Sequence, residues 1–383
     1  MTPGGYSMSN ERVVAILGAG NGGFAHAADL AIKGFGVNLY EVPEFGENLA
    51  AVKERGGIEL KVTGDPGINP GFGRLRRVTT DVSEAVGDAG IVIIVVPAFA
   101  QRRFAQVCAP FLRDEHLVML SPGNFGGCLE MWSALQESGS RARPLLCETE
   151  CMTYSGFKSG PAEVEVSGYK EGHTLAAFPG RRTGEALERV RPLFPSMKGA
   201  RNILETGLRN SNTVCHPPIM VLNAGRVEDT DGKFLFYWQG CTRGVGQVIE
   251  RIEVERLQIG EALGLNLTPM RDVHLQWYAH CGASGDTLPE VLRTNPVYAI
   301  DWAPPRLQHR FLTEDIPFGM VPMERMGQYA GVPTPMTTAI IEMSCGLLGE
   351  DLRQKGRDLG AFGLAGMPIE ELGRYLDEGA RAA

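Results

Sequence analysis

An apolar run, Val13-Val14-Ala15-Ile16-Leu17, passes without interruption into Gly18-Ala19-Gly20-Asn21-Gly22-Gly23 and then into the alanine-rich stretch Phe24-Ala25-His26-Ala27-Ala28-Asp29-Leu30-Ala31. Strand, glycine turn and helix in that order constrain the chain more than any other feature. Gly18 permits the tight bend, Gly20 lets the backbone approach a pyrophosphate, and Gly23 lets the helix pack on the strand. Asn21 and Gly22 then sit at the helix start, where unpaired N–H groups face an anion. A second strand, residues 36–40, ends in Glu41, 18 residues beyond Gly23. An acidic side chain there accepts hydrogen bonds from the ribose hydroxyls of an adenine dinucleotide. The expected cofactor is NAD. NADP is less favoured, because its 2′-phosphate would meet the charge of Glu41 and no basic residue follows before Lys53. A solvated glutamate at a strand end would carry the same signature.

Further strands of a parallel sheet are expected at residues 57–63, 76–80, 91–96, 117–120 and 144–148. The run Ile91-Val92-Ile93-Ile94-Val95-Val96 is continuously apolar and β-branched, as a strand covered on both faces requires, and Pro97 ends it. Residues 81–88 read as a short helix. Residues 100–111 read as another, with Phe104, Val107 and Phe111 at helical spacing. This alternation is the βαβ pattern of a doubly wound Rossmann fold. Ligands in such sheets lie outside the carboxyl ends of the strands, so Pro97 and Ala98, with the loop Ser121 to Gly127, are expected to border the nicotinamide.

With 383 residues there is room for two domains, expected at 1–200 and 201–383. Long helical windows replace short strands in the second. In Val245 to Leu263, Val248, Ile249, Ile252, Leu257, Ile259 and Leu263 form an apolar stripe, and Glu250, Arg251, Glu253, Glu255, Arg256 and Glu261 are expected on the wet face. The fold class is thus an α/β Rossmann domain followed by an all-α domain. The net charge of −8 argues against nucleic acid or an anionic membrane as partner. No apolar run approaches the ~20 residues that span a bilayer, and Met1 to Asn10 lacks both a basic and an apolar signal region. The expected compartment is the cytoplasm. Eight scattered cysteines form no CxxC pair, and no histidine is spaced to complete a zinc site, so no metal is expected.

Hydride chemistry on such a fold needs a proton donor and a substrate anchor from the second domain. His216 lies just before Pro217-Pro218, a pair that can open a helix. Arg310 and Asp315 lie five apart in Arg310-Phe311-Leu312-Thr313-Glu314-Asp315-Ile316-Pro317. Arg310 offers a fork suited to a carboxylate, and Asp315 could hold the second nitrogen of His216. A structural histidine and an internal Arg–Asp ion pair would read the same from spacing alone.

Three motifs together resemble the octopine/nopaline (opine) dehydrogenase family: residues 18–31, the His-Pro-Pro of 216–218 followed by Val221 to Glu228, and Arg310 to Pro317 followed by Gly331-Val332-Pro333-Thr334-Pro335. The resemblance implies NADH-dependent reductive condensation of an amino acid with a pyruvate-like 2-oxo acid, and the reverse oxidation. It makes His216 the proton donor or acceptor, Asp315 its orienting partner, and Arg310 the group that binds substrate carboxylate or supports the pair. The small-molecule partners are then an amino acid and a 2-oxo acid. The segment Glu148 to Tyr154 could contact the amino acid, and Glu148, Glu150 or Glu228 could serve a basic one. A homodimer remains open. The competing readings are a 2- or 3-hydroxyacid dehydrogenase of similar architecture and a non-catalytic NAD-binding protein.

Overall fold

β-Branched and aliphatic runs punctuated by glycine turns produce twelve strands among the described residues: β1 (Val13–Leu17), β2 (Gly36–Tyr40), β3 (Gly57–Val62), β4 (Gly71–Arg74), β5 (Arg77–Thr79), β6 (Ile91–Ile94), β7 (Leu117–Leu120), β8 (Leu145–Thr149), β9 (Tyr154–Gly160), β10 (Glu163–Tyr169), β11 (Thr174–Phe178) and β12 (Lys198–Gly199). The computed structural model describes residues 12–357, 360, 364 and 366–379, so the leader Met1–Asn10 lies outside the described residues. Eight strands form one sheet in the order β12-β11-β8-β7-β6-β1-β2-β5. From β5 through β8 all pairs are parallel; β11 runs antiparallel to β8. The order reverses between β1 and β6, and the crevice at their carboxyl ends is where a doubly wound sheet binds its ligand.

Each strand of the parallel core feeds two apolar layers. Val14, Ile16, Ile91, Ile93, Leu117 and Met119 pack into one. Ala15, Leu17, Val92, Ile94, Val118 and Leu120 pack into the other, which continues without a break into the helical half through Val214, Ile219, Ile249 and Met270. The helices that matter for the site are α1 (Asn21–Ile32), α2 (Ala98–Cys108), α3 (Ser211–Leu222), α4 (Arg243–Ala262), α5 (Met270–Tyr278) and α6 (Pro335–Leu348). None among the described residues is long and apolar enough to cross a membrane.

Two expectations are corrected here. Residues 57–63 do form a strand, but β3 belongs to a second sheet, β4-β3-β10-β9, that packs on α1. Its alternation, with Ile58 and Leu60 buried and Lys61 exposed, suits a sheet covered on one face, whereas the parallel core needs strands buried on both. On α4 the apolar stripe is buried as expected at Ile249, Ile252 and Ile259 and half-buried at Val248 and Leu257, yet Glu253, Glu255 and Arg256 are buried too. Arg256 donates to both carboxylate oxygens of Glu253 at 2.7 Å and to the carbonyls of Leu208 and Thr268. Glu255 accepts from the N–H groups of Met336 and Thr337 and so caps α6. These charges are interior because each finds a partner on another element, which helical periodicity cannot reveal.

The glycine turn divides its labour as the motif requires. Gly18 has φ +109°, and a Cβ on it would lie 2.4 Å from the Val95 carbonyl; a Cβ on Gly23 would lie 1.8 Å from the Gly18 carbonyl. A Cβ on Gly20 would meet nothing within 4 Å. Gly23→Ala should therefore lower stability by about 1–3 kcal/mol or more through overpacking. Gly20→Ala should leave the thermal midpoint unchanged and weaken NADH binding. Thermal melts with NADH titrations on both variants check the contrast.

Candidate active site

A cavity of about 430 Å³ separates the glycine turn, represented by Asn21 and Gly22, from His216, Tyr237, Arg310 and Phe311 of the helical half. The small sheet supplies another part of its wall through Tyr154 at the start of β9 and Lys170 just past the end of β10. Trp277, on α5, and Tyr298 add aromatic surface.

His216 does not precede a helix; it lies within α3, which Asn210 starts by accepting the N–H of Asn212 at 3.1 Å. Pro217 and Pro218 are inside the same helix, where they withhold two amide donors. The imidazole is held at both nitrogens. Nδ1 lies 2.7 Å from Asp315 Oδ2, Nε2 lies 2.7 Å from the Tyr237 hydroxyl, and the ring stacks on Phe311 with centroids 3.8 Å apart. An ionised Asp315 can only accept, so Nδ1 carries hydrogen and Nε2 is left to take or give a proton. Burial pushes the Tyr237 phenol well above its ordinary pKa, so it remains a neutral hydroxyl. Such a dyad can act as general acid and base at Nε2.

Arg310 places its Nε 3.1 Å from Glu314 Oε2, one helical turn on. The opposing charge of Glu314 raises its pKa further, so the guanidinium stays charged, and its remaining N–H donors suit a carboxylate. Glu314 also accepts from the N–H of Ala98, at the start of α2, at 2.9 Å. The Asn124 amide reaches the same oxygen at 3.4 Å. Pro97 caps α2. The loops at Pro97–Ala98 and Ser121–Gly127 thus meet the Arg310–Asp315 segment directly. Arg357 clamps both loops from behind, donating to the carbonyls of Gly123 and Phe125 and to Gln101.

Glu41 is buried, with one oxygen accepting from Ala19 N–H and the other from Val42 N–H, each at 2.9 Å. The expected acidic pocket residues lie elsewhere. Glu148 is fully buried against the Cys128 N–H and the Thr206 hydroxyl, and desolvation pushes its carboxyl up to about 7. Glu150 pairs with Arg209 at 2.6 Å, and Glu228 is exposed on α3's far neighbour, residues 224–230. The acid that lines the cavity is Asp301, raised to about 6 by burial, with Lys170 opposing the shift. Lys170 donates to the Met152 carbonyl at 2.9 Å beside the Trp277 ring, and burial lowers its pKa.

Sequence reasoning missed Tyr237, Lys170, Asp301, Glu314 and Arg357. Only Glu314 had a local signal, its i,i+4 spacing from Arg310.

A dinucleotide-type turn facing a buried His–Asp pair across a shared cavity defines a nicotinamide-dependent dehydrogenase with a helical second half. Residues 199–348 match the family model for the NAD/NADP octopine/nopaline dehydrogenase alpha-helical domain. The chain is 33% identical to an opine dehydrogenase of Arthrobacter sp. (strain 1C), over 94% of this chain and 97% of that protein. Octopine dehydrogenase in complex with NADH and L-arginine superposes with a TM-score of 0.73 at 23% identity, covering 97% of this chain and 99% of that one. Octopine dehydrogenase with NADH and pyruvate does so at 0.72 and 22%, with the same coverage. The chain belongs to the opine dehydrogenase family of oxidoreductases.

Asp315→Asn should preserve NADH affinity while lowering kcat by roughly 10²–10⁴, the usual worth of a positioned acid–base group. Fluorescence titration of NADH beside steady-state rates checks this; normal turnover would leave Asp315 a packing residue.

Proposed function

We propose that this protein uses NADH to condense the amino group of an amino acid with a pyruvate-like 2-oxo acid, giving an N-(carboxyalkyl) amino acid, and catalyses the reverse oxidation. The observation that carries the reading is His216, fixed between Asp315 and Tyr237 on the wall opposite the glycine turn. The complexes of octopine dehydrogenase with L-arginine and with pyruvate support the substrate classes.

The residues present fit the cofactor. The open space beside Gly20 leaves room for a pyrophosphate over the α1 N-terminus, with Gly18, Asn21, Gly22 and Gly23 forming the cradle. Glu41 keeps further lone pairs on both oxygens for ribose hydroxyls. Pro97 and Ala98 would border the nicotinamide. When bound, NADH supplies the hydride that reduces the carbon of the imine formed from amine and 2-oxo acid.

His216 takes the proton that the amine must lose before it attacks the carbonyl carbon, and helps return protons as water leaves. Asp315 stabilises the imidazolium meanwhile. Both substrates carry a carboxylate, and the cavity offers two cations, Arg310 and Lys170. Arg310 holds the 2-oxo acid near His216, and Lys170 serves the carboxylate of the amino acid. The aromatic wall excludes water from the imine.

Loss of NADH absorbance should require pyruvate and an amino acid together. Turnover with a 2-oxo acid alone would make the enzyme a hydroxyacid dehydrogenase, and turnover unchanged in His216→Ala would remove the dyad from the mechanism. Glu41→Arg should shift the ratio of kcat/KM values from NADH toward NADPH by reversing the charge at the ribose; an unchanged ratio would place Glu41 away from it.

A further inference from the structure

Asp65, His280 and Cys281 come together 215 residues apart in sequence and outside the cavity. Asp65 lies in the connection from β3 to β4, and His280 and Cys281 lie in the turn that follows α5. The His280 Nε2 atom is 3.3 Å from each oxygen of Asp65 and 3.3 Å from the Cys281 sulfur. All three donor sets fall within 4.8 Å of one another.

A nucleophilic cysteine would need the carboxylate and the thiol on opposite nitrogens of the imidazole, so that one orients the ring while the other gives up its proton to it. Here carboxylate and thiol face the same nitrogen, which is how ligands converge on a cation. A tetrahedral ion with bonds of about 2.0–2.3 Å sets its ligand atoms roughly 3.3–3.7 Å apart, the separation seen here for the His–Asp and His–Cys edges. Asp65 is already oriented for such a role. It is buried, and accepts from Gly67 N–H at 2.8 Å and Tyr169 N–H at 2.6 Å, the outer hydrogen bonds that fix a ligating carboxylate. His280 is exposed, so a fourth position is open to water.

We propose that Asp65, His280 and Cys281 bind a divalent transition metal, Zn²⁺ by the mixed oxygen, nitrogen and sulfur donor set. The ion ties the small sheet to the end of α5. Both carry cavity wall: Tyr169, whose N–H Asp65 holds, precedes Lys170, and Trp277 and Tyr278 precede the turn. The metal therefore braces the amino-acid end of the cavity and takes no part in hydride transfer.

The test uses the full chain. Equilibrium dialysis should find one Zn²⁺ per chain, and Co²⁺ should give intense tetrahedral ligand-field bands with a thiolate charge-transfer band. Cys281→Ser should abolish the charge-transfer band. His280→Gln should weaken Zn²⁺ binding by more than about tenfold, the loss that even an outer partner's removal causes. Zn²⁺ should raise the thermal midpoint of the wild type and not of the variants. No stoichiometric binding, an octahedral Co²⁺ spectrum, or binding unchanged in both variants overturns the proposal.

Discussion

The carboxylate of Glu314 is the contact on which the arrangement of the two halves turns. It comes from the helical half, yet it satisfies the N–H of Ala98 at the start of α2, beside the point where strand order reverses. An anion is favourable there because the first N–H groups of a helix have no internal partner. The same carboxylate holds Arg310, and the next residue, Asp315, holds His216. One buried acid thus registers the His216–Asp315 pair against the cofactor crevice. Arg357 reinforces the register by binding the carbonyls of the neighbouring loop.

The cavity's electrostatics follow from what is buried and what is paired. His216 and Asp315 are joined by a hydrogen bond of 2.7 Å, and Arg310 is balanced by Glu314. Lys170 and Asp301 are the charges whose environments push them toward neutrality, the lysine downward and the acid upward. Each gains from a ligand of opposite sign, which returns the charge that desolvation removes. The aromatic walls keep the effective dielectric low and strengthen these attractions.

Much of the fold was legible because its signals are local. Ile91 to Val96 could only be a strand buried on both faces, and Gly18 to Gly23 could only be a close turn into a helix. The failures share one cause. Residues 57–62 alternate apolar and charged, and that pattern identifies a strand without identifying the sheet it joins. Glu253, Glu255 and Arg256 looked wet because charge is normally solvated; their partners on Leu208, Thr268, Met336 and Thr337 are remote in sequence. Glu148 and Glu150 were sensible substrate candidates by position, but Thr206 and Arg209 claim them.

The sequence by itself determined the dinucleotide-type turn, the parallel core and the helical second half, since these depend on short-range sterics and periodicity, and it offered His216, Arg310 and Asp315 as candidates through a family resemblance. Only the tertiary structure decided that Asp315 sits on Nδ1 and Tyr237 on Nε2, that Lys170 and Asp301 enter the cavity, and that Asp65 meets His280 and Cys281. A hydrogen bond or a ligand set acts within about 3 Å, and nothing in a linear spacing says which distant side chains the packing of two cores will bring that close.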